Sequence, residues 1–311
     1  MAHTLTNAAG SADRPATARP ASRLRVYALL ALGIVCIAFS AILTRWSGVP
    51  GTVSAFYRVA IAAVALGPLF GRGVARGRVA LPPRLWLLAA GAGIFFALDL
   101  ALWNTSLFMT SAATATLLGN DAPIIVGLGA LLIFRERLGA AFWLGLALAL
   151  VGMGIIAGRE LLLGATSGLG DALSALAGAS YGGYLLVTGR IRARMDTLST
   201  LWISCAAGSV LLLAVNLVAG HALWGFSTRV ALTLLALGLI SQVGGWLAIN
   251  YALGHLPASI VSVTLLGQPV LTALFAVPLL GQALGTNQLL GGAVALGGIY
   301  LVNRGFARGK R

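Results

Sequence analysis

Ten long apolar segments, separated by short stretches of turn-forming and basic residues, dominate this chain of 311 residues. About 20 apolar residues in a helix cross the hydrocarbon core of a bilayer. Only 9% of the residues are charged, against about 25% in a soluble globular domain, so lipid must replace water as the solvent. The pattern therefore predicts an all-α integral membrane protein of ten transmembrane helices. The predicted spans are 24–43, 53–71, 85–108, 112–134, 140–157, 171–189, 198–219, 229–252, 257–280 and 287–303.

Basic residues cluster in alternate connections between these spans. With a cytoplasmic N-terminus, 17 of the 21 Lys and Arg residues fall on the cytoplasmic side and 4 on the other side. Because Lys and Arg are enriched in cytoplasmic loops, both termini are predicted to be cytoplasmic. The bias toward Ala, Gly, Leu and Arg is typical of a GC-rich bacterial genome, so the predicted location is the bacterial inner membrane. The net charge of +14 reflects this topology, and no nucleic-acid partner is predicted.

The chain repeats itself at an offset of 146 residues. Between 103–158 and 249–304, 14 of 56 aligned pairs are identical without a gap, and Pro123 coincides with Pro269. Because five spans form each repeat, the second copy must enter the membrane from the opposite side, which predicts two inverted five-helix repeats. Such repeats allow alternating access to a central site. The predicted divisions are a disordered tail at 1–22, repeats at 23–158 and 168–304, and a basic tail at 305–311.

Two stretches, Thr116–Leu138 and Leu265–Leu284, each contain a mid-helix proline and an apolar run, and a fifth span beginning with glycine follows. Both resemble the EamA-type signature of the drug/metabolite transporter superfamily, and Ala55–Arg58 resembles the start of that family's second helix. The resemblance covers about residues 24–304. It implies ten helices in inverted halves that move a small metabolite into or out of the cell.

Two departures from the family pattern concern charged groups. The second copy has Gln282 where the first has Glu136, and the first helix carries no acidic residue. The half-size multidrug relatives use a carboxylate in that helix for proton exchange, so the same route is not expected here. Glu136 with Arg135 and Arg137 is predicted to form an interfacial salt-bridge cluster, and an inner gate is the alternative.

Three ionisable residues fall inside the predicted spans, where charged groups are costly and usually functional. At 1.5 Å per residue, Asp99 and Asp121 both lie about 15 Å below the outer end of their hairpin, near the midplane. Two carboxylates at one depth repel, so one is expected to hold a proton, as in a coupling device. Alternatively, Asn104 or Asn120 satisfies them. Arg58 is expected to pair with them, to bind a substrate carboxylate bidentately, or to reach the outer interface.

The second repeat offers neutral polar and aromatic groups at similar depth. Gln242, Trp246 and Asn250 recur every four residues and are predicted to line one helix face. A proline inside a helix frees the carbonyl four residues earlier, so Pro123 and Pro269 are predicted hinges, with simple packing kinks as the alternative. The other predicted substrate contacts are Trp103, Tyr181, Tyr184 and Gln268.

Such a pocket favours a small amphipathic solute, for example an amino acid. The prediction is a secondary transporter, not an enzyme, that exports the solute as a monomer or homodimer with protons as a candidate coupling ion. An intramembrane enzyme on a lipid or prenyl substrate, and a channel or sensor, remain alternatives. No cofactor or metal is predicted, because the sequence lacks a G-x-x-x-x-G-K-[ST] phosphate loop and its three histidines avoid the span centres.

Small residues recur in register in the fifth span of each repeat. Gly145 with Ala149, and Gly291 with Ala295, form matched small-x-x-x-small pairs. Because such pairs let helix backbones approach closely, spans five and ten are predicted to pack together as a scaffold away from the pathway.

Overall fold

The described residues form ten helical spans, which follow the predicted order. The structure, a computed structural model, describes residues 22–77, 82–106, 109–110, 112–163, 168–281 and 284–309. A π-helical segment, Leu237–Gly245, joins the two parts of the eighth span. The bounds are α1 Arg23–Ser47, α2 Gly51–Ala75, α3 Pro83–Ser106, α4a Ala112–Gly119, α4b Ala122–Leu132, α5 Ala140–Leu163, α6 Gly168–Ile191, α7 Thr197–Val218, α8a Thr228–Ala236, α8b Trp246–Leu253, α9a Ala258–Leu265, α9b Gly267–Leu280 and α10 Thr286–Gly309.

Nine of the described spans are long and apolar enough to cross a bilayer. The span outside this set is α6, whose glycines, serines and tyrosines lower its mean hydropathy, although it is 24 residues long. The all-helical, two-repeat fold is confirmed. The predicted hairpin tip near Phe108 and residues 1–21 of the predicted tail lie outside the described residues. At the other end α10 continues to Gly309, so the described part of the predicted basic tail is helical.

The fourth and ninth spans are both broken at the matched prolines. Pro123 lies in the first turn of α4b, and Pro269 lies in the first turn of α9b. Proline cannot donate to a preceding carbonyl but fits the first turn of a helix, where that N–H has no intrahelical partner. Each proline therefore starts a new helix after a break, which is a sharper interruption than the predicted kink.

The residues that follow α4b and α9b share a left-handed backbone conformation, although they differ in type. Gly281 takes the left-handed conformation with φ 65° after α9b, and Arg135 takes φ 54° at the same repeat position after α4b. This conformation closes many helices and favours glycine, because a β-carbon is strained there. The first repeat thus carries a strained arginine where the second carries an unstrained glycine.

Arg135→Gly is expected to raise the free energy of unfolding by about 1 kcal/mol, because it removes this strain. Thermal unfolding of the purified protein in detergent measures the change. Gly281→Ala should lower stability by a similar amount, since no atom lies within 4 Å of its new β-carbon and only backbone strain is added. Arg137→Gly is the matched control in the same loop, and stabilisation by that change as well would contradict the explanation.

The helix contacts repeat when the two halves are exchanged. One group consists of α3, α4 and α6, and its counterpart consists of α8, α9 and α1. Between the groups, α2 packs against α7, and both also contact the third helix of the opposite repeat. At the edge of the bundle α5 packs against α10. When the two repeats are exchanged, each of these helix contacts becomes either itself or another contact named here, as expected for two inverted five-helix repeats.

Glycines bring α5 and α10 into backbone contact. A β-carbon on Gly152 would lie 2.6 Å from the carbonyl oxygen of Gly291, and one on Gly145 would lie 2.7 Å from that of Gly298. The crossing is antiparallel, and Ala149 completes it with no exposed surface. The predicted close packing of spans five and ten is therefore present.

The two helix groups meet at one end of the bundle. We call the end at which α1 begins and α10 ends the terminal end, and the other the distal end. At the terminal end α9a contacts α4b and α6, and a β-carbon on Gly189 would lie 3.1 Å from that of Ala258. A cavity of about 80 Å³ remains there. At the distal end, the described residues of α4a make no comparable contact with α1 or α9b. The described contacts between the two groups are therefore concentrated at the terminal end.

Candidate functional site

Arg58 of α2 lies inside the bundle between the two helix groups. Its Nε donates a hydrogen bond of 2.7 Å to Oε1 of Gln242, and its Cζ lies 5.6 Å from the ring centroid of Phe96. Both partners are buried, so the side chain does not extend to the outer interface. A cation over an aromatic face is attracted by the ring quadrupole. The Gln242 amide thus binds one edge of the Arg58 guanidinium, and the Phe96 ring covers one of its faces.

Two carboxylates accompany this cation without neutralising it. Asp99 interacts electrostatically with both Arg58 and Asp121, the second carboxylate of the predicted hairpin. No hydrogen bond or ion pair joins Asp99 to another described residue. Oδ1 of Asp121 is buried and has no hydrogen-bond partner within the described chain. It rests against Gly178 of α6, where any β-carbon would collide with it.

Aromatic side chains close the site on the side toward the terminal end. Phe96, Tyr184 and Trp246 are at most 4% exposed, and their ring centroids lie 4.9–5.1 Å apart. Tyr181 contacts the same tryptophan edge-on at 6.0 Å and stays partly accessible. Nδ2 of Asn250 donates to the Tyr184 hydroxyl at 3.0 Å. The site is therefore a charged centre on an aromatic floor, between the two helix groups.

The π-helical segment places Gln242 against Arg58. Inserted π turns widen a helix and occur often at functional sites. Within this segment, Ser241 donates to the carbonyl of Cys36 on α1, while Nε2 of Gln242 contacts Sγ of Cys205 on α7 at 3.5 Å. The corresponding part of the first repeat, 91–99, is ordinary α-helix within α3. The two repeats thus differ in backbone at the point where they meet the cation.

Four other predicted substrate contacts have described partners other than Arg58, Asp99 and Asp121. Nδ2 of Asn104 donates to the carbonyl of Leu100, and Nδ2 of Asn120 donates to that of Thr116, so both amides are engaged by their own helices. Nε2 of Gln268 reaches the carbonyl of Ile37 on α1 at 3.4 Å. The fourth is Trp103, whose indole packs against Gly119 at the end of α4a.

Two residues of the site were not predicted as contacts. Phe96 stacks under Arg58, and its sequence signal was available, because an offset of 146 residues places it opposite Gln242 in the repeat. Cys205 of α7 contacts the Gln242 amide through its Sγ. Nothing in its apolar surroundings in the sequence indicates that it contacts a side chain on another helix.

Comparisons with known proteins agree with this architecture. The profile of the EamA-like transporter family matches residues 24–158 and 168–304. One solved crystal structure, described only as that of a protein, superposes with a TM-score of 0.77. The superposition covers 93% of this chain and 100% of the other at 20% sequence identity, so the likeness extends to the fold alone. No curated protein matched the sequence.

Proposed function

Because the chain belongs to the EamA-like transporter family, whose members move small solutes across membranes, we propose that it exports a small zwitterionic solute by alternating access. An amino acid or a similar amphipathic molecule is the solute that the site favours. Arg58 carries the proposal, because no described residue other than Gln242 hydrogen-bonds its guanidinium. A guanidinium binds a carboxylate through two parallel hydrogen bonds.

Asp99 supplies the complementary charge. It lies near enough to Arg58 to interact electrostatically, yet no ion pair consumes either group within the described chain. A solute with a carboxylate and an ammonium group would satisfy both charges at once. Tyr181 and the buried aromatic floor would then contact its apolar part. Uncompensated charges in the bilayer interior are unfavourable, which supports a zwitterionic partner over a neutral one.

The two states of the proposed cycle follow from the proposed topology. The terminal end carries most of the basic residues and is assigned to the cytoplasm of a bacterial inner membrane. The present state, in which the two helix groups meet at the terminal end, would then be closed to the cytoplasm, and closure of the distal end with opening of the terminal end would complete the cycle. Inverted repeats with gates on opposite sides suit such alternation around a midplane site.

Counterflow in sealed proteoliposomes tests the proposal. Vesicles loaded with unlabelled L-leucine should accumulate external labelled L-leucine transiently, with saturation at high concentration. Loss of label through an ohmic, non-saturating pathway would indicate a channel, and a covalently altered lipid would indicate an enzyme. Absence of counterflow for every α-amino acid would overturn the assignment of a zwitterionic solute.

Protons are the proposed coupling ion, and Asp121 is the proposed carrier. A buried carboxylate oxygen without a hydrogen-bond donor favours the protonated form, because an isolated charge there is poorly solvated. Asp121→Asn is expected to abolish the stimulation of L-leucine uptake by an imposed pH gradient while leaving counterflow intact. Because Asp99 is also proposed to bind the solute, Asp99→Asn identifies it as the alternative carrier only if counterflow persists while the response to the pH gradient is lost. If both variants keep their full response to the gradient, neither carboxylate couples transport to protons.

A further inference from the structure

We infer that Gln242 is a positioning residue that orients Arg58 for the solute while leaving its positive charge uncompensated. This role deepens the proposed function and depends on it. The hydrogen bond between Oε1 and Nε spans 184 positions of sequence and joins the two repeats. It is therefore a direct contact between the charged half of the site and the half that supplies neutral groups.

The two contacts of Arg58 restrain different motions. The ring of Phe96 faces the guanidinium and restricts tilting of its plane. The amide of Gln242 binds Nε and restricts rotation within that plane. Because Nε is occupied, the two terminal nitrogens remain for the solute, and a planar fork of this kind recognises a carboxylate end-on. Tyr181, Asp99, Cys205 and Tyr184 are the polar groups that interact electrostatically with the guanidinium.

The uncharged state of Gln242 matters as much as its position. A glutamate of the same length would also accept from Nε, but it would form a buried ion pair and cancel the charge that attracts the solute. An amide fixes the geometry without that cancellation. Nε2 of the same amide points to Sγ of Cys205, an acceptor, which keeps Oε1 directed at the arginine. Gln242 should therefore determine specificity for carboxylate-bearing solutes.

The experiment compares L-leucine with L-leucinamide, which lacks the carboxylate charge, as inhibitors of labelled L-leucine counterflow. Wild-type protein should bind the acid more tightly than the amide. Gln242→Glu is expected to reduce this ratio of affinities roughly tenfold or more, in line with a hydrogen bond to a charged group. Gln242→Met, which has similar length and no acceptor, should weaken L-leucine binding while the affinity for L-leucinamide stays unchanged.

Gln288→Glu is the matched control, because Gln288 lies at the distal start of α10 and caps Gly285 with the same kind of amide oxygen. Gln288→Glu should leave the ratio of the affinities for L-leucine and L-leucinamide at the wild-type value. If wild-type protein does not distinguish acid from amide, the proposed function fails. If wild-type protein distinguishes them and both Gln242 variants keep its ratio and its affinity for L-leucine, Gln242 does not position Arg58. Purified Gln242→Met provides this answer even when Gln242→Glu does not fold.

Discussion

Arg58→Met is expected to reduce the affinity for L-leucine by at least roughly 30-fold, because it removes the cation and leaves Asp99 unbalanced. Methionine fills much of the arginine volume, so loss of packing contributes little. Arg58→Lys should retain part of the affinity, since a lysine keeps the charge but cannot form the bidentate contact or hold the bond to Gln242 in the same plane. Binding of labelled L-leucine to purified protein in detergent measures the affinity of the wild type and of both variants.

Arg229→Met is the matched control for this prediction. Arg229 is exposed near the start of α8a at the distal end, so the same change in charge occurs outside the site. The affinity of Arg229→Met for L-leucine should equal that of the wild type. Equal affinity in Arg58→Met, with normal folding by thermal unfolding, would mean that the solute carboxylate binds elsewhere.

Gly152→Leu should destabilise the protein by about 3 kcal/mol or more, the largest structural effect that we expect from one substitution. Its side chain would meet the backbone of Gly291 and Ala295 on α10, and backbone atoms cannot rotate away as a side chain could. The two helices would have to separate, and the contacts along the whole crossing would loosen. Thermal unfolding, or the yield of monodisperse protein after solubilisation, measures the loss.

Gly154→Leu on the same helix provides the control. No atom lies within 4 Å of a β-carbon at that position, so leucine should be accepted and should favour helix slightly over glycine. Stability near that of the wild type is expected. Equal damage by both substitutions would show that α5 tolerates no bulk on any face, and the close crossing with α10 would not be the cause.

The sequence predicted the helix count and the repeat because each depends on local order along the chain. Periodic apolar runs define spans, and a fixed rise per residue converts position into depth. The matched prolines also predicted where α4 and α9 break. Helix ends were less accurate: α5 extends to Leu163, well past residue 157, since no proline or glycine pair stops it earlier.

Contacts between the repeats could not be read in the same way. The offset of 146 residues pairs equivalent positions, whereas Arg58 and Gln242 are not equivalent and meet only through the packing of α2 on α8. The π-helical segment contains no proline, so its sequence resembles ordinary helix. Nor does the sequence indicate that Nδ2 of Asn104 and Nδ2 of Asn120 each donate to the carbonyl four residues earlier in the same span.

The unequal ends of the bundle have a consequence for the conformation that is not seen. Since the two repeats have the same fold in opposite orientations, each can adopt the shape that its twin now holds. After such an interchange, α4a would touch α9b and α1, and the seam between α9a and α4b would part. The present fold thus contains a template for the form that is open at the terminal end, with Leu43 and Ala112 as the repeat equivalents of Gly189 and Ala258 at the new seal.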